Sequence, residues 1–399
     1  MFNSMEITVS GGRETHFECL RSHKVLWDDV NGDVNSIFEN DEIVLDGDTV
    51  EYKAQCHCGN IQETIKVPGG DGNKPLKAYI CCCTICRQTY GGFGGFFVVL
   101  PKSMKLSSKQ GTLEDWDTPG TEEGEENRPF CGTCGARNSV ETIRGCAIVD
   151  TSLWNADFWK FVGVMFSSSA KDDGLVPWLP KEAPLQALEF YNTHGDVTPE
   201  YVPVIGSNGW EERLRAECCC GGVSFTIPRP SQEVREEGNY LERFVAPAHG
   251  GRWKAYLDFS RETRLTSTSP FIPWMLVPRV ELEPEVPSDL IFQTLQTYQS
   301  SEKITRGFCW ACGSTVFLKS TDRCPSEANE VLGIAMGTLK APEGVRAENW
   351  VEWRAGKPYG DDEVGLGLGG DPVLTSHITE NIKKWSLEKY GDYPEFDIM

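Results

Sequence analysis

Sixteen cysteines in a chain of 399 residues are the side chains best equipped for chemistry here, because a thiolate is both a nucleophile and a soft metal ligand. Thirteen of them fall in five tight groups: Cys56-His57-Cys58-Gly59, Cys81-Cys82-Cys83-Thr84-Ile85-Cys86-Arg87, Cys131-Gly132-Thr133-Cys134-Gly135, Cys218-Cys219-Cys220-Gly221 and Cys309-Trp310-Ala311-Cys312-Gly313. Cys19, Cys146 and Cys324 stand alone and read as fillers of small apolar sites. In a C-x-C-G or C-x-x-C-G turn two thiolates converge, and the glycine can take a positive φ that lets backbone N–H groups point at the sulfurs. One knuckle of each kind supplies four thiolates, which closes a tetrahedral zinc site. Cys56, Cys58, Cys131 and Cys134 are expected to form one such site, and Cys218, Cys220, Cys309 and Cys312 a second. Disulfides and free thiols are the other readings of the same pairs.

The group Cys81, Cys83 and Cys86 differs. Three thiolates at C-x-C-x-x-C spacing can hold zinc and leave a fourth position open, as in a site that does chemistry rather than one that staples a fold. Zinc so held has a formal charge of about −1 and suits activation of a thiolate or hydroxide better than strong carbonyl polarisation. The alternative is a closed, structural site completed by Cys82 or by a distant residue. Counting this group, about three zinc ions per chain are expected. Arg87, directly after the last ligand, could pair with a substrate carboxylate or form an ordinary salt bridge. Gly91-Gly92-Phe93-Gly94-Gly95 follows, either as a turn into a strand or as a backbone surface open to close approach by a ligand. On the second reading Gly91, Gly92 and Phe93 shape a substrate pocket. His57 reads as a spacer or as a support for the first knuckle, and none of the six histidines sits in a recognisable Ser-His-Asp or Cys-His arrangement.

The elements that must position these groups repeat. C-x-C-G … F-C-x-x-C-G occurs twice, with Phe130-Cys131 recurring 178 residues on as Phe308-Cys309 and Lys77-Ala78-Tyr79 recurring 177 residues on as Lys254-Ala255-Tyr256. This is the mark of a duplicated unit. At the same offset Cys81, Cys83 and Cys86 fall opposite Asp258, Ser260 and Thr263, so the middle cluster is lost from the second copy. The second copy carries a polar, proline-containing insert near Pro228 to Arg252, read as a surface loop. We expect an N-terminal extension over 1–48, one domain over 49–192, a linker over 193–209 and a degenerate copy over 210–399. Alternation predicts strands at Ile61 to Val67 and Val223 to Ile227, and short buried strands at Phe96 to Leu100 and Thr315 to Leu318. Helical periods are scarce, with Pro184 to Tyr191 the best short candidate. The fold class is therefore mainly β, two tandem zinc-stapled domains with few short helices.

Composition narrows the function further. Hydrophobic residues make up 39% and charged residues 24%, as in a globular protein, and the formal net charge is −21. Such a polyanion gains nothing from counterion release on nucleic acid and is repelled by anionic membranes. No apolar run of about 18 residues suggests a membrane span, and the first 22 residues show no signal peptide. A cytoplasmic setting and a small-molecule substrate are the expectations, with oligomeric state open. The glycine run Gly365 to Gly370 and the acidic run Glu114 to Glu126 read as solvated loops rather than phosphate or calcium sites.

Taken together, C-x-C-G, then C-x-C-x-x-C-R about twenty-five residues on, then F-C-x-x-C-G, resembles the glutathione-dependent formaldehyde-activating (GFA) family, which also has centromere-protein relatives. The family's middle motif typically reads C-H-C-x-x-C-R followed by glycine; Cys82 stands here in place of the histidine, with Gly91 beyond. Gly145 to Leu153 and Gly333 to Leu339 look like the strand that follows in such domains. The resemblance implies a mainly β zinc fold in which the four-cysteine site is structural and Cys81, Cys83 and Cys86 hold a catalytic zinc where glutathione or another substrate binds. It implies carbon–sulfur lyase chemistry, the reversible addition of formaldehyde to the glutathione thiol to give S-hydroxymethylglutathione. The tandem arrangement and the erased second site depart from that simple pattern and leave the substrate open. Two other readings stand beside it: a lyase or dehydratase acting on a carbonyl metabolite without glutathione, and a non-enzymatic zinc scaffold.

Overall fold

The computed structural model describes residues 49–68, 76–98, 107–110, 113–114, 128–137, 159–179, 189–191, 204–206, 212–246, 251–361 and 372–398. The N-terminal extension, most of the acidic and glycine runs, Cys19, Cys146 and Gly145 to Leu153 lie outside them. Strands dominate. In chain order they are β1 (Thr49–Gln55), β2 (Ile61–Pro68), β3 (Leu76–Cys81), β4 (Gly95–Val98), β5 (Ser107–Gln110), β6 (Leu113–Glu114), β7 (Phe130–Cys131), β8 (Trp159–Met165), β9 (Glu189–Tyr191), β10 (Val204–Ile205), β11 (Glu212–Glu217) and β12 (Ser224–Pro228). Then follow β13 (Trp253–Asp258), β14 (Ile272–Pro278), β15 (Leu295–Gln299), β16 (Ile304–Cys309), β17 (Thr315–Ser320), β18 (Val331–Ala335) and β19 (Val351–Trp353). The α-helices among the described residues are α1 (Thr84–Tyr90), α2 (Arg261–Ser267) and α3 (Pro372–Tyr390).

Each side of the 193–209 stretch opens on a hairpin whose turn carries a C-x-C-G knuckle: β1 with β2, and β11 with β12. A strand–helix–strand unit follows in both, β3–α1–β4 and β13–α2–β14, with the two strands antiparallel neighbours. On the C-terminal side these strands join a seven-stranded sheet ordered β15-β16-β17-β18-β14-β13-β19. β14 is buried along its whole length, so its sequence is continuously apolar; Phe225 and Ile227 of β12 are buried between partly exposed neighbours, so that strand alternates. On the N-terminal side the sheet runs β4-β3-β8-β9.

Buried side chains from both sides form one continuous cluster. Phe93 packs edge-on against Trp178 at 5.6 Å and against Trp353 of β19 at 5.7 Å, and Trp178 in turn meets Trp385 of α3 at 5.4 Å. Burying each such ring contributes about 1.5–3 kcal/mol. The two sides also interlock through their C-x-x-C-G knuckles. A methyl group on Gly135 would meet the Phe308 ring at 2.7 Å, and one on Gly313 would meet the Phe130 ring at 2.5 Å. Only glycine allows both approaches, and both glycines sit at positive φ, +75° and +66°.

The structure departs from the sequence reading in four places. Residues 189–191, the end of the expected Pro184 to Tyr191 helix, form strand β9, and the rest of that segment lies outside the described residues. The expected linker contains β10, which pairs with β11. The Pro228 to Arg252 insert is not merely a surface loop: a 3-10 turn at Tyr240–Phe244 buries Leu241 and Phe244. The 19-residue helix α3 was not anticipated. It buries Leu374, Ile378, Ile382 and Ser386, one residue per turn, which is too thin a stripe to raise a helical period. Pro372 begins it, and Gly391 at φ +75° ends it with its N–H on the Leu387 carbonyl.

Candidate metal centres and active site

The knuckles fold as their residue types require. Gly59, Gly135, Gly221 and Gly313 all take positive φ, between +66° and +75°, and each donates its N–H to the carbonyl of the first cysteine in its motif. The turn so formed aims backbone donors at sulfur: Ile61 N lies 3.3 Å from Cys56 Sγ, and Val223 N lies 3.1 Å from Cys218 Sγ. These are the contacts that stabilise thiolates.

Cys56, Cys58, Cys131 and Cys134 converge, as do Cys218, Cys220, Cys309 and Cys312, with every sulfur within 4.8 Å of the others in its group. Neighbouring sulfurs lie 3.4 to 3.7 Å apart. Four thiolates at zinc–sulfur distances of about 2.3 Å stand about 3.8 Å apart in a tetrahedron, so the donor sets fit zinc. All fourteen described cysteines are free of disulfides. The thiols within a group hold their protons very unequally. Hydrogen bonds from Cys134 and Cys56 take Cys131 down to about 2, while bonding to Cys131 pushes Cys134 far up. Cys312 is held well below, and Cys218 well above, the ordinary thiol value by hydrogen bonds with the sulfurs around them. Four sulfurs in contact cannot all be charged unless a cation balances them.

Second contacts brace these groups. Thr294 Oγ1 lies 3.1 Å from Cys309 Sγ, and Ser314 Oγ lies 3.2 Å from Cys312 Sγ. His57 Nδ1 bonds the Tyr298 hydroxyl at 2.8 Å, and its backbone N–H reaches Leu265 O of α2, which makes it a support and not a ligand.

Cys81, Cys83 and Cys86 also come together. Cys81 ends β3; Cys83 caps α1, its sulfur accepting from Cys86 N at 3.4 Å; Cys86 lies one turn into the helix. All three are buried, at 2%, 0% and 2% exposure. Cys81 is pushed well above the ordinary thiol value by hydrogen bonding to Cys83 and Cys86, with burial adding to it. Cys82 is not part of the cluster. Burial raises its thiol to about 12, and replacing it with alanine is expected to leave metal content unchanged by elemental analysis. The sequence reading missed Arg128, a buried residue whose Nη1 stands 3.6 Å from Cys86 Sγ. Its signal was available: Arg128 lies three residues before Cys131, as Arg306 lies three before Cys309.

Arg87 and the glycine turn are placed differently from expectation. Arg87 is buried, with Nη1 donating to Cys82 O and Ser169 Oγ and Nη2 donating to Thr84 Oγ1 at 2.9 Å. Its donors clasp the loop between β3 and α1 and so position the cysteines. The Gly91–Gly92 backbone is approached closely by the chain itself: Gly337 N donates to Gly91 O at 3.0 Å, and a methyl group on Gly337 would lie 2.5 Å from Gly92 N. Phe93 lies in the aromatic core.

The corresponding loop after β13 has the same backbone with other chemistry. Ser260 caps α2, its hydroxyl accepting from Thr263 N at 3.4 Å, the distance found at Cys83. Asp258 Oδ1 accepts from Ser260 N at 2.9 Å, and Oδ2 accepts from Thr263 Oγ1 at 2.5 Å and from Trp274 Nε1 at 3.2 Å. A closed hydrogen-bond network thus stands where the other side has three sulfurs.

A mainly β fold carrying two four-thiol groups and one three-thiol group defines a protein built to hold metal ions through cysteine. Residues 51–154 carry a domain of the family described as glutathione-dependent formaldehyde-activating enzyme. That span contains the first three cysteine groups, Arg87, Arg128 and the glycine turn, and the groups at 218–220 and 309–312 lie beyond it. No curated protein and no solved structure matches the chain. No helix among the described residues is long and apolar enough to cross a membrane.

Proposed function

We propose that the chain is a zinc-dependent enzyme of the carbon–sulfur lyase type that acts on a thiol adduct at Cys81, Cys83 and Cys86. The observation that carries this reading is the three-sulfur group itself, which has no fourth protein ligand among the described residues and lies inside the matched family domain. Zinc bound there would supply a Lewis-acid centre with a position free for a substrate thiolate. The chain's own residues prepare that position. Arg87 and Ser169 fix the loop through Cys82 O, and Arg128 places a positive charge beside Cys86. That charge offsets the excess negative charge of three thiolates and favours approach of an anionic sulfur. In the forward direction the thiol sulfur bonds to the formaldehyde carbon, the C=O π bond breaks, and the thiol proton ends on the resulting hydroxyl.

Proton NMR of the metal-loaded protein with glutathione and formaldehyde tests this reading. Equilibration with S-hydroxymethylglutathione is expected to run faster than without protein, by a factor that Cys83→Ser removes. An unchanged rate excludes glutathione and formaldehyde as the reacting pair. Burial of all three sulfurs favours a second reading, a third structural staple without turnover. On that reading Cys83→Ser lowers stability and no thiol adduct is turned over.

A further inference from the structure

A cleft of about 430 Å³ opens beside the hydrogen-bonded network of the C-terminal side, with Asp258 and Ser260 in its wall. It occupies, relative to β13 and α2, the position that the three-cysteine group occupies relative to β3 and α1. Its size suits a metabolite rather than a water cluster. We propose that this cleft binds a small molecule bearing a single carboxylate, which it holds without chemistry. The inference does not rest on the lyase reading, because the cleft contains no thiol.

Arg323 carries the argument. Its guanidinium is buried at 1% exposure, no carboxylate lies within ion-pair distance of it, and its Nε has no hydrogen-bond partner. Its one contact to a side chain is Nη1 to the Tyr256 hydroxyl at 3.5 Å. An uncompensated buried guanidinium is costly, and an anion within the cleft removes that cost. The other charges of the cleft are already matched. Arg306 donates to Ser300 and faces Glu262 at 3.7 Å; Lys303 pairs with Asp322 at 3.0 Å; Asp258 has both oxygens engaged, as described above. One unmatched positive charge calls for a monoanion. The exposed Glu302 at the rim opposes a second negative charge on the ligand, which disfavours dicarboxylates and phosphate dianions. Arg323 presents the planar donor geometry that suits carboxylate, and Ile304, Leu318 and Tyr359 give the cleft walls for an apolar or aromatic body.

Benzoate and its neutral isostere benzamide separate charge recognition from greasy binding. Saturation-transfer NMR on the full metal-loaded chain is expected to show transfer to benzoate and none to benzamide. Arg323→Met should weaken benzoate at least about tenfold, the effect of losing a hydrogen-bonded charge partner. Ile304→Trp, which fills the cleft and leaves every charge in place, should abolish transfer with metal content unchanged. Equal transfer to both probes, no transfer to benzoate, or transfer that survives Ile304→Trp would each overturn the proposal. The tryptophan variant decides the matter if Arg323→Met does not fold.

Discussion

The triple substitution Cys81→Asp/Cys83→Ser/Cys86→Thr is expected to remove one metal ion per chain and all turnover while leaving the protein folded. It installs on α1 the residues found at the matching places on α2, where Asp258, Ser260 and Thr263 close on one another by hydrogen bonds. The loop backbone is already the same, since the capping residue of each helix accepts from the residue three further on at 3.4 Å. One donor is missing. Trp274, which bonds Asp258, has Phe97 at its counterpart position 177 residues earlier. An unmet buried acceptor costs about 1–3 kcal/mol, so the melting temperature should fall without loss of cooperativity. Elemental analysis and thermal unfolding read both effects. An unchanged metal count would show that the three sulfurs hold no ion; a collapsed fold would show that their ion is structural and would undercut the enzyme reading.

A larger loss is expected from Cys309→Ser/Cys312→Ser. These cysteines sit at the turn from β16 into β17, inside the seven-stranded sheet, and share their group with Cys218 and Cys220 beside β12. Four-thiolate zinc contributes about 10–16 kcal/mol in small zinc domains, against a total stability of about 5–15 kcal/mol for typical domains. The variant should therefore not fold. Because Gly313 and Phe130 pack ring to backbone across the two sides, the N-terminal side should be lost with it. Near-ultraviolet circular dichroism, dominated by the buried tryptophans, reports both. A cooperative fold retained with one metal fewer would show that the knuckle is dispensable.

What could be read from residue types alone was the chemistry of short motifs. The knuckle glycines at positive φ, the three sulfur groups and the order of strands beside them all follow from spacing, since a C-x-x-C-G turn has few ways to fold. Arg128 was not read because its role depends on which strand lies next to Cys86, a matter of tertiary packing. Arg87 and Gly91 to Phe93 were read toward a ligand because exposure is invisible in sequence; in the structure their partners are Cys82 O, Gly337 and Trp178. Helix α3 escaped because its buried stripe is a single residue wide.

The crossed packing of rings over glycines has a consequence for how the chain can be divided. Phe308 covers Gly135, Phe130 covers Gly313, and Asn381 of α3 donates to the carbonyls of Trp178 and Leu179. A cleavage between the sides would then not yield two free modules. It would leave two fragments, each lacking part of its own interior and each supplying it to the other, so that they persist as a complementing pair and neither is stable when separated.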